Sequence, residues 1–396
     1  MFFDWRSRAA LERRMGQPVF RSLSRALGRA ALEGTLAPVV TATERLRASD
    51  ADVLFAVRCQ GVAGHLRPLL GEAPSAWTSA TIDALHLEAE RIAVRSTRLR
   101  DDLARIAHTA EAENLPWSPL KGTWLRLGVD RHPERRPSAD IDILVEPADQ
   151  ARWDALLTRL GYVAMHVDRH VTYLQPGAAA ADVAGDHPDH PRPVEVHTRI
   201  SEVVFGVPQD VTAPYRDGLA GTRVHGMALQ APSVDGLALH LVLHGAAAML
   251  SRGLRVSQLL DLRHVGDDET TRVALQSTLA QETWAVAALA ERDLPGLVPL
   301  AMRDVLDGAA PSAARRRAIL SRPGVLEGDP LRWRTALGEW RLAGTPHVVR
   351  RVREAVAGRM AVDPLGQARP AAVVGTHLRS AVDRLTGRRS RAASGE

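Results

Sequence analysis

The chain has almost no lysine. Of its 51 basic residues one, Lys121, is lysine and the other 50 are arginine. It has one cysteine, Cys59, which excludes an internal disulfide framework and a cysteine-rich zinc site. Aromatic residues make up 4% of the 396 positions, too few for the stacked platforms that grip single-stranded nucleic acid. The most apolar stretch, Gly236 to Leu250, falls short of the roughly 20 residues needed to cross a bilayer and carries His240 and His244. The opening residues include Phe2, Phe3 and Trp5 but then turn charged, without the apolar centre of a secretory leader. A cytoplasmic protein with no membrane span is expected.

What the chain does have is enough apolar material, 45% of residues, to build a core, and enough length for two or three domains. Its net charge of +5 is unevenly spread. Between His347 and Glu396 ten arginines face four acids, so everything before that sums to about −1. Nucleic acid is therefore a conceivable partner only of the basic tail, and a solvated tail is the plainer reading.

Residues 1–110 read as helix throughout. Along Ser79 to Glu113 the positions Ile82, Leu85, Ala89, Ile92, Leu99, Leu103 and Ile106 form one stripe at helical spacing, with Ser96 in its gap. The texture changes at Asn114. A short strand over Leu115–Leu120 precedes Lys121-Gly122-Thr123 and a helix over Trp124–Val129. A strand follows at Ile141–Val145, then a helix opened by Pro147 and closed by Gly161. Further strands are expected at Tyr162–His166, His170–Gln175 and Pro193–Ile200, with a loop over Gly177–Arg192. Helices return at Ser233–Ser251, Val256–Val265 and Thr270–Glu291, and the tail holds one basic helix candidate, Val348–Met360. The fold class is α+β: a small mixed sheet flanked by helical domains, divided as 1–110, 111–205, 206–345 and a tail of 346–396.

Asp140 and Asp142 lie one residue apart at the start of the strongest strand, so both side chains share a face with Cα atoms about 6.5 Å apart. Two like charges so placed repel unless cations lie between them, and the spacing suits two Mg²⁺ ions ~3.5–4 Å apart. An Asp-x-Asp pair alone is a weak signal, and a solvated pair at a strand mouth is its plainer reading. Glu195, an acid between Val194 and Val196 in a second apolar strand, tips the balance toward a metal cage.

Lys121 sits beside Gly122 where a strand turns into a helix. Such a turn exposes backbone N–H groups to an anion, Thr123 adds a hydroxyl, and lysine supplies a compact ammonium that a planar guanidinium does not mimic. The order Lys-Gly-Thr, without the upstream glycine of G-x-x-x-x-G-K-[ST], excludes a P-loop.

Taken together, Pro119-Leu120-Lys121-Gly122-Thr123-Trp124-Leu125, then Arg136-Pro137-Ser138-Ala139-Asp140-Ile141-Asp142-Ile143-Leu144-Val145, Leu160-Gly161-Tyr162 and Val194-Glu195-Val196-His197 resemble the bacterial uncharacterised nucleotidyltransferase family of the polymerase-β-like superfamily. The likeness covers about residues 110–265. It implies that Asp140, Asp142 and Glu195 bind two Mg²⁺ ions, one orienting a nucleoside triphosphate such as ATP, the other activating an acceptor hydroxyl. That hydroxyl attacks the α-phosphorus and pyrophosphate leaves. The same likeness puts the β,γ-phosphates on Gly122 and Thr123 with Lys121 nearby, and makes Arg136 a neutraliser of leaving-group charge. The acceptor it implies is a hydroxyl of a small molecule or peptide. The alternative is a non-catalytic module that binds a nucleotide or peptide in the same cleft.

Several histidines stay open at this stage. His197 shares a strand face with Glu195 and could orient it, act as a base, or simply pack. His240 and His244 share a helix face, as zinc ligands do, but without the glutamate of H-E-x-x-H they read better as core residues. Asp186, His187, Asp189 and His190 read as a solvated turn.

Overall fold

The computed structural model describes residues 14–72, 77–167, 170–176, 187–205, 207–251, 253–308 and 310–326. The basic tail with its helix candidate Val348–Met360, Asp186 and most of the loop over 177–192 lie outside the described residues.

Helices open the chain. They are α1 (Pro18–Glu33), α2 (Ala37–Leu46), α3 (Asp50–Gln60), the single turn α4 (Ala63–Leu66) and the long α5 (Ser79–Ala112). Their ends follow local chemistry. Pro18 stands in the first turn of α1 and Gly34 ends it in the left-handed region. Ser49 and Asp52 form a capping box on α3, which Gly61 closes. The expected stripe on α5 is inside: Leu85, Ala89, Ile92, Leu99, Leu103 and Ile106 are buried, and so is Ser96.

The sheet has five strands: β1 (Ser118–Pro119), β2 (Ile141–Leu144), β3 (Val163–Val167), β4 (His170–Leu174) and β5 (Val194–His197). Their spatial order is β1-β2-β5-β4-β3, with β2 and β5 parallel and the other pairs antiparallel. Between β1 and β2 come the short helix α6 (Lys121–Trp124) and a π-helical turn, Leu125–Val129. Between β2 and β3 lies α7 (Gln150–Arg159), entered through a 3-10 turn at Pro147–Asp149. One face of the sheet buries Ile141, Ile143, Val194 and Val196 against Leu99, Leu103 and Ile106 of α5 and against Trp153 and Leu156 of α7. The opposite face is left for the polar residues that alternate with these.

Two hairpins have no counterpart among the expected elements. They are β6 (Ser201–Val204) with β7 (Val207–Asp210), and β8 (Ala220–Val224) with β9 (Met227–Ala231), separated by α8 (Thr212–Asp217). The remaining helices are α9 (Val234–Ser251), α10 (Val256–Leu260), α11 (Glu269–Asp293, kinked at Leu279), α12 (Leu300–Gly308) and α13 (Ala313–Leu320). No helix among the described residues is long and apolar enough to cross a membrane. The helices before and after the sheet share one apolar cluster that runs from Phe20 and Leu27 through Leu66 to Val242, Leu259, Val286 and Met302.

Two buried ionic knots hold this arrangement. Arg95 on α5 is 3% exposed and donates five hydrogen bonds to backbone carbonyls. Ser138 and Ala139, just before β2, receive two at 2.8 and 2.7 Å. His187, His190 and Pro191, just before β5, receive the others at 3.1, 2.9 and 2.8 Å. One guanidinium thus ties the entries of both central strands to one helix, and the turn read as solvated is anchored through its carbonyls. Close approach of backbones helps: a Cβ on Gly64 of α4 would meet the Arg135 carbonyl oxygen at 2.4 Å, so only glycine lets the loop before β2 lie there.

Asp293, at the end of α11, forms the second knot. Its buried carboxylate accepts from Arg25 at 3.1 Å, from Arg292 at 2.9 and 2.8 Å, and from the backbone N–H groups of Gly324 and Val325 at 3.1 and 3.0 Å. Burial works against this anion, but Arg292, the Val325 N–H and Arg25 outweigh it and hold the carboxyl below the usual range.

Both knots give expected outcomes. Arg95→Ala removes five hydrogen bonds to backbone carbonyls and should cost at least about 3 kcal/mol in urea unfolding; a loss under about 1 kcal/mol would show that the clamp is redundant. Because the native pKa of Asp293 is depressed, its stabilisation is complete above the unfolded value near 4 and fades as pH falls toward the native one. The unfolding free energy of wild type should therefore drop more steeply below about pH 4 than that of Asp293→Asn, and parallel curves would refute the assignment.

Candidate active site

The parallel pairing of β2 with β5 sets Asp142 directly across from Glu195. Asp140, two residues earlier, shares their face. Carboxylate oxygens of Asp140, Asp142 and Glu195 all lie within 4.8 Å of one another. The three acids picked out in the sequence are thus brought together, by two different strands and one register.

Lys121 is placed by β1. The Leu120 N–H donates to the Asp142 carbonyl at 3.0 Å, which ends the strand beside β2, and Lys121 then takes a left-handed backbone conformation at φ 41. That conformation is costly for a residue with a side chain and is tolerated where the surroundings over-determine it. The ammonium stands 3.3 Å from Asp142 Oδ1. Thr123 is buried, and its hydroxyl accepts from the Asp142 N–H at 2.9 Å, so the Lys-Gly-Thr turn is bolted to the Asp-x-Asp strand on both sides of Lys121.

Arg136 lies beside Gly122, and its guanidinium is held by Asp261 through two parallel bonds of 2.8 and 2.6 Å. The pair is buried on both sides. It joins the loop before β2 to the turn after α10, and it lines one cavity with Gly122, Asp140, Asp142 and Arg255, about 180 Å³ in volume.

His197 follows Glu195 on the same face of β5. Its Nε2 is 3.0 Å from Asp142 Oδ1 and 3.6 Å from Glu195 Oε2. Nothing in the sequence marks His170, yet it opens β4 and puts its Nε2 3.3 Å from Glu195 Oε2, with its ring 4.6 Å from that of His197. The signal was available only as a pairing: Thr172 faces Glu195 across β4 and β5, so His170 shares its face. His240 and His244 line a second cavity of about 240 Å³ with Lys121, His170 and His197. Burial holds His240 well below the usual imidazole range, and Tyr215 packs edge-on against its ring.

The charges of this cluster are unequal. Burial disfavours the Asp142 anion, but the Lys121 ammonium and the His197 hydrogen bond overcome it and keep the carboxyl well below its usual range. Glu195 is lowered too, against burial, by the His170 and His197 imidazoles that approach its carboxylate. Asp140 has no such partner. Burial, with Asp142 and Glu195 close by, pushes its carboxyl up to about 7. Lys121 and Arg126 pull the other way without prevailing. Arg126 itself is buried in the π-helical turn, with no hydrogen-bond partner for its guanidinium among the described residues, and burial pushes it down to about 9.

Three oxygen donors that cannot all be ionised alone are the donor set a hard divalent cation takes, and such a cation would remove the cause of Asp140 keeping its proton. The residues present therefore fit Mg²⁺.

No curated protein matches the chain. Among solved structures it is similar to the antibiotic-resistance factor ANT(2'')-Ia, known from its solution structure, at 16% identity and a TM-score of 0.29, over 47% of this chain and 86% of that one. The family model described as uncharacterised nucleotidyltransferase matches residues 48–284, a span that holds the whole sheet, its three carboxylates, the Lys121 turn and helices on either side. The chain belongs to the uncharacterised nucleotidyltransferase family and is an enzyme of nucleotidyl transfer.

Proposed function

We propose that the protein is an Mg²⁺-dependent nucleotidyltransferase that moves a nucleoside monophosphate from a nucleoside triphosphate to a hydroxyl of a small molecule or peptide. In this reading residues 111–205 carry the chemistry, and Asp140, Asp142 and Glu195 hold two divalent ions. The observation that carries it is the convergence of those three carboxylates, with Asp140 pushed up to about 7 by its neighbours. When bound, Mg²⁺ supplies a Lewis acid for the α-phosphate and favours the acceptor's alkoxide.

The chain's own groups divide into two sides. The cavity of about 180 Å³ has Gly122, Arg136 and Arg255 in its wall and takes the triphosphate. Lys121, on the border of both cavities, stays a cation, because Asp142 and Asp140 outweigh the burial that would neutralise it, and so faces the phosphate being transferred. The other cavity, about 240 Å³ and lined by histidines, takes the acceptor hydroxyl; its size suits a small molecule or a single side chain rather than a folded surface. Arg136 keeps its bond to Asp261 and contributes a fixed positive charge, as pre-organised electrostatics require. A Cβ on Gly122 would stand 2.5 Å from Arg136 Nη1, so the glycine leaves room for that fixed guanidinium.

The test is calorimetric titration with ATP or GTP in the presence of Mg²⁺, followed by pyrophosphate release with pooled hydroxyl acceptors. Asp140→Asn combined with Asp142→Asn should lower turnover by about 10³-fold or more and abolish Mg²⁺-dependent nucleotide binding. Wild-type binding and turnover in that variant would refute the carboxylate cage. Gly122→Ala should push against the Arg136–Asp261 fork, cost roughly 1–3 kcal/mol in thermal or urea unfolding and weaken nucleotide binding. An unchanged melting point together with unchanged affinity would show that the turn has slack.

A further inference from the structure

Beside the carboxylate cage the structure sets a second group of metal donors, made of Glu195 and two histidines that the cage does not use. A ring nitrogen of His170, a ring nitrogen of His197 and a Glu195 carboxylate oxygen lie within 4.8 Å of one another, from two adjacent antiparallel strands. The two imidazole nitrogens approach the same oxygen, Glu195 Oε2, at 3.3 and 3.6 Å. The second distance is too long for a hydrogen bond and the first is at its outer edge. The first falls within the spacing of donors that share an ion and the second lies just beyond it: ligands about 2.1 Å from a common centre, at tetrahedral or octahedral angles, stand roughly 3.0–3.4 Å apart. Asp142 Oδ1, 3.0 Å from His197 Nε2, borders the group. The histidine-lined cavity opens on His170 and His197.

We propose that His170, His197 and Glu195 bind a divalent transition-metal ion, at a site that shares Glu195 with the all-carboxylate Mg²⁺ cage and differs from it by two imidazole donors. Two imidazoles and one carboxylate are the ligand set of catalytic zinc sites and of the facial triad that holds Fe(II). Magnesium prefers oxygen and keeps its waters, so it discriminates against this set, whereas Zn²⁺, Co²⁺ and Mn²⁺ accept it. His170 takes part in no step of the nucleotidyl transfer described above. The inference shares Glu195 with that reading but does not rest on it.

The experiment uses the full chain, stripped with a chelator and titrated with Co²⁺ under excess Mg²⁺, with visible absorption and dialysis as readouts. Wild type should retain one equivalent of Co²⁺ with d–d bands of imidazole ligation, and Zn²⁺ should displace it. His170→Gln should bind Co²⁺ at least about tenfold more weakly. His170→Cys, which restores a donor, should recover binding and add a thiolate charge-transfer band, and this separates lost ligation from lost folding. Asp140→Asn should leave Co²⁺ binding in place while weakening Mg²⁺–ATP binding. Failure of wild type to hold Co²⁺ against Mg²⁺, or equal affinity in His170→Gln, overturns the proposal; Mg²⁺–ATP binding that persists in that event leaves the nucleotidyl-transfer reading standing.

Discussion

The repulsion among three carboxylates on two neighbouring strands is the constraint around which the rest of the molecule is arranged. Register alone puts Asp142 opposite Glu195, and period-2 alternation adds Asp140 to the same face. At such distances in a partly buried setting the mutual penalty is several kcal/mol, enough to unmake a marginally stable sheet. The structure answers on each flank. Lys121 and His197 neutralise Asp142, His170 and His197 support Glu195, and Asp140 alone is left to hold a proton.

Holding like charges together also demands rigid backbone at the strand entries. Arg95 does this with one buried guanidinium whose fork reaches both entry loops. Arginine suits the task because five fixed donors can be spread over several carbonyls, whereas lysine offers three on a flexible stem. The Arg136–Asp261 pair performs a similar service on the helical side, and it couples the loop before β2 to the same apolar cluster that joins α1 to α11. Site geometry thus depends on helices far from it in sequence.

This explains which parts could be read in advance. Asp140, Asp142 and Glu195 were legible because a strand's period is local: an acid in an apolar strand declares both its face and its anomaly. The stripe on α5 was legible for the same reason at helical period. His170 was not, since its relation to Glu195 exists only through the antiparallel register of β4 on β5, which no local pattern encodes. Arg95 looked like one more of fifty arginines until its five carbonyls, drawn from two loops, were in place. The hairpins β6–β7 and β8–β9 escaped because their strands are short and largely solvent-facing, with little apolar alternation. That the Thr123 hydroxyl accepts from the Asp142 N–H was hidden as well, because the bond joins segments nineteen residues apart in the chain.

The single lysine then has a physical reason. Its position borders both cavities, its backbone is left-handed, and its ammonium must fit within 3.3 Å of Asp142 while the Arg136 guanidinium fills the space beyond Gly122. A guanidinium at 121 would spread its charge over a planar fork rather than concentrate it at one point. In a chain that uses arginine everywhere else, position 121 is where size and reach, rather than charge, decide the residue.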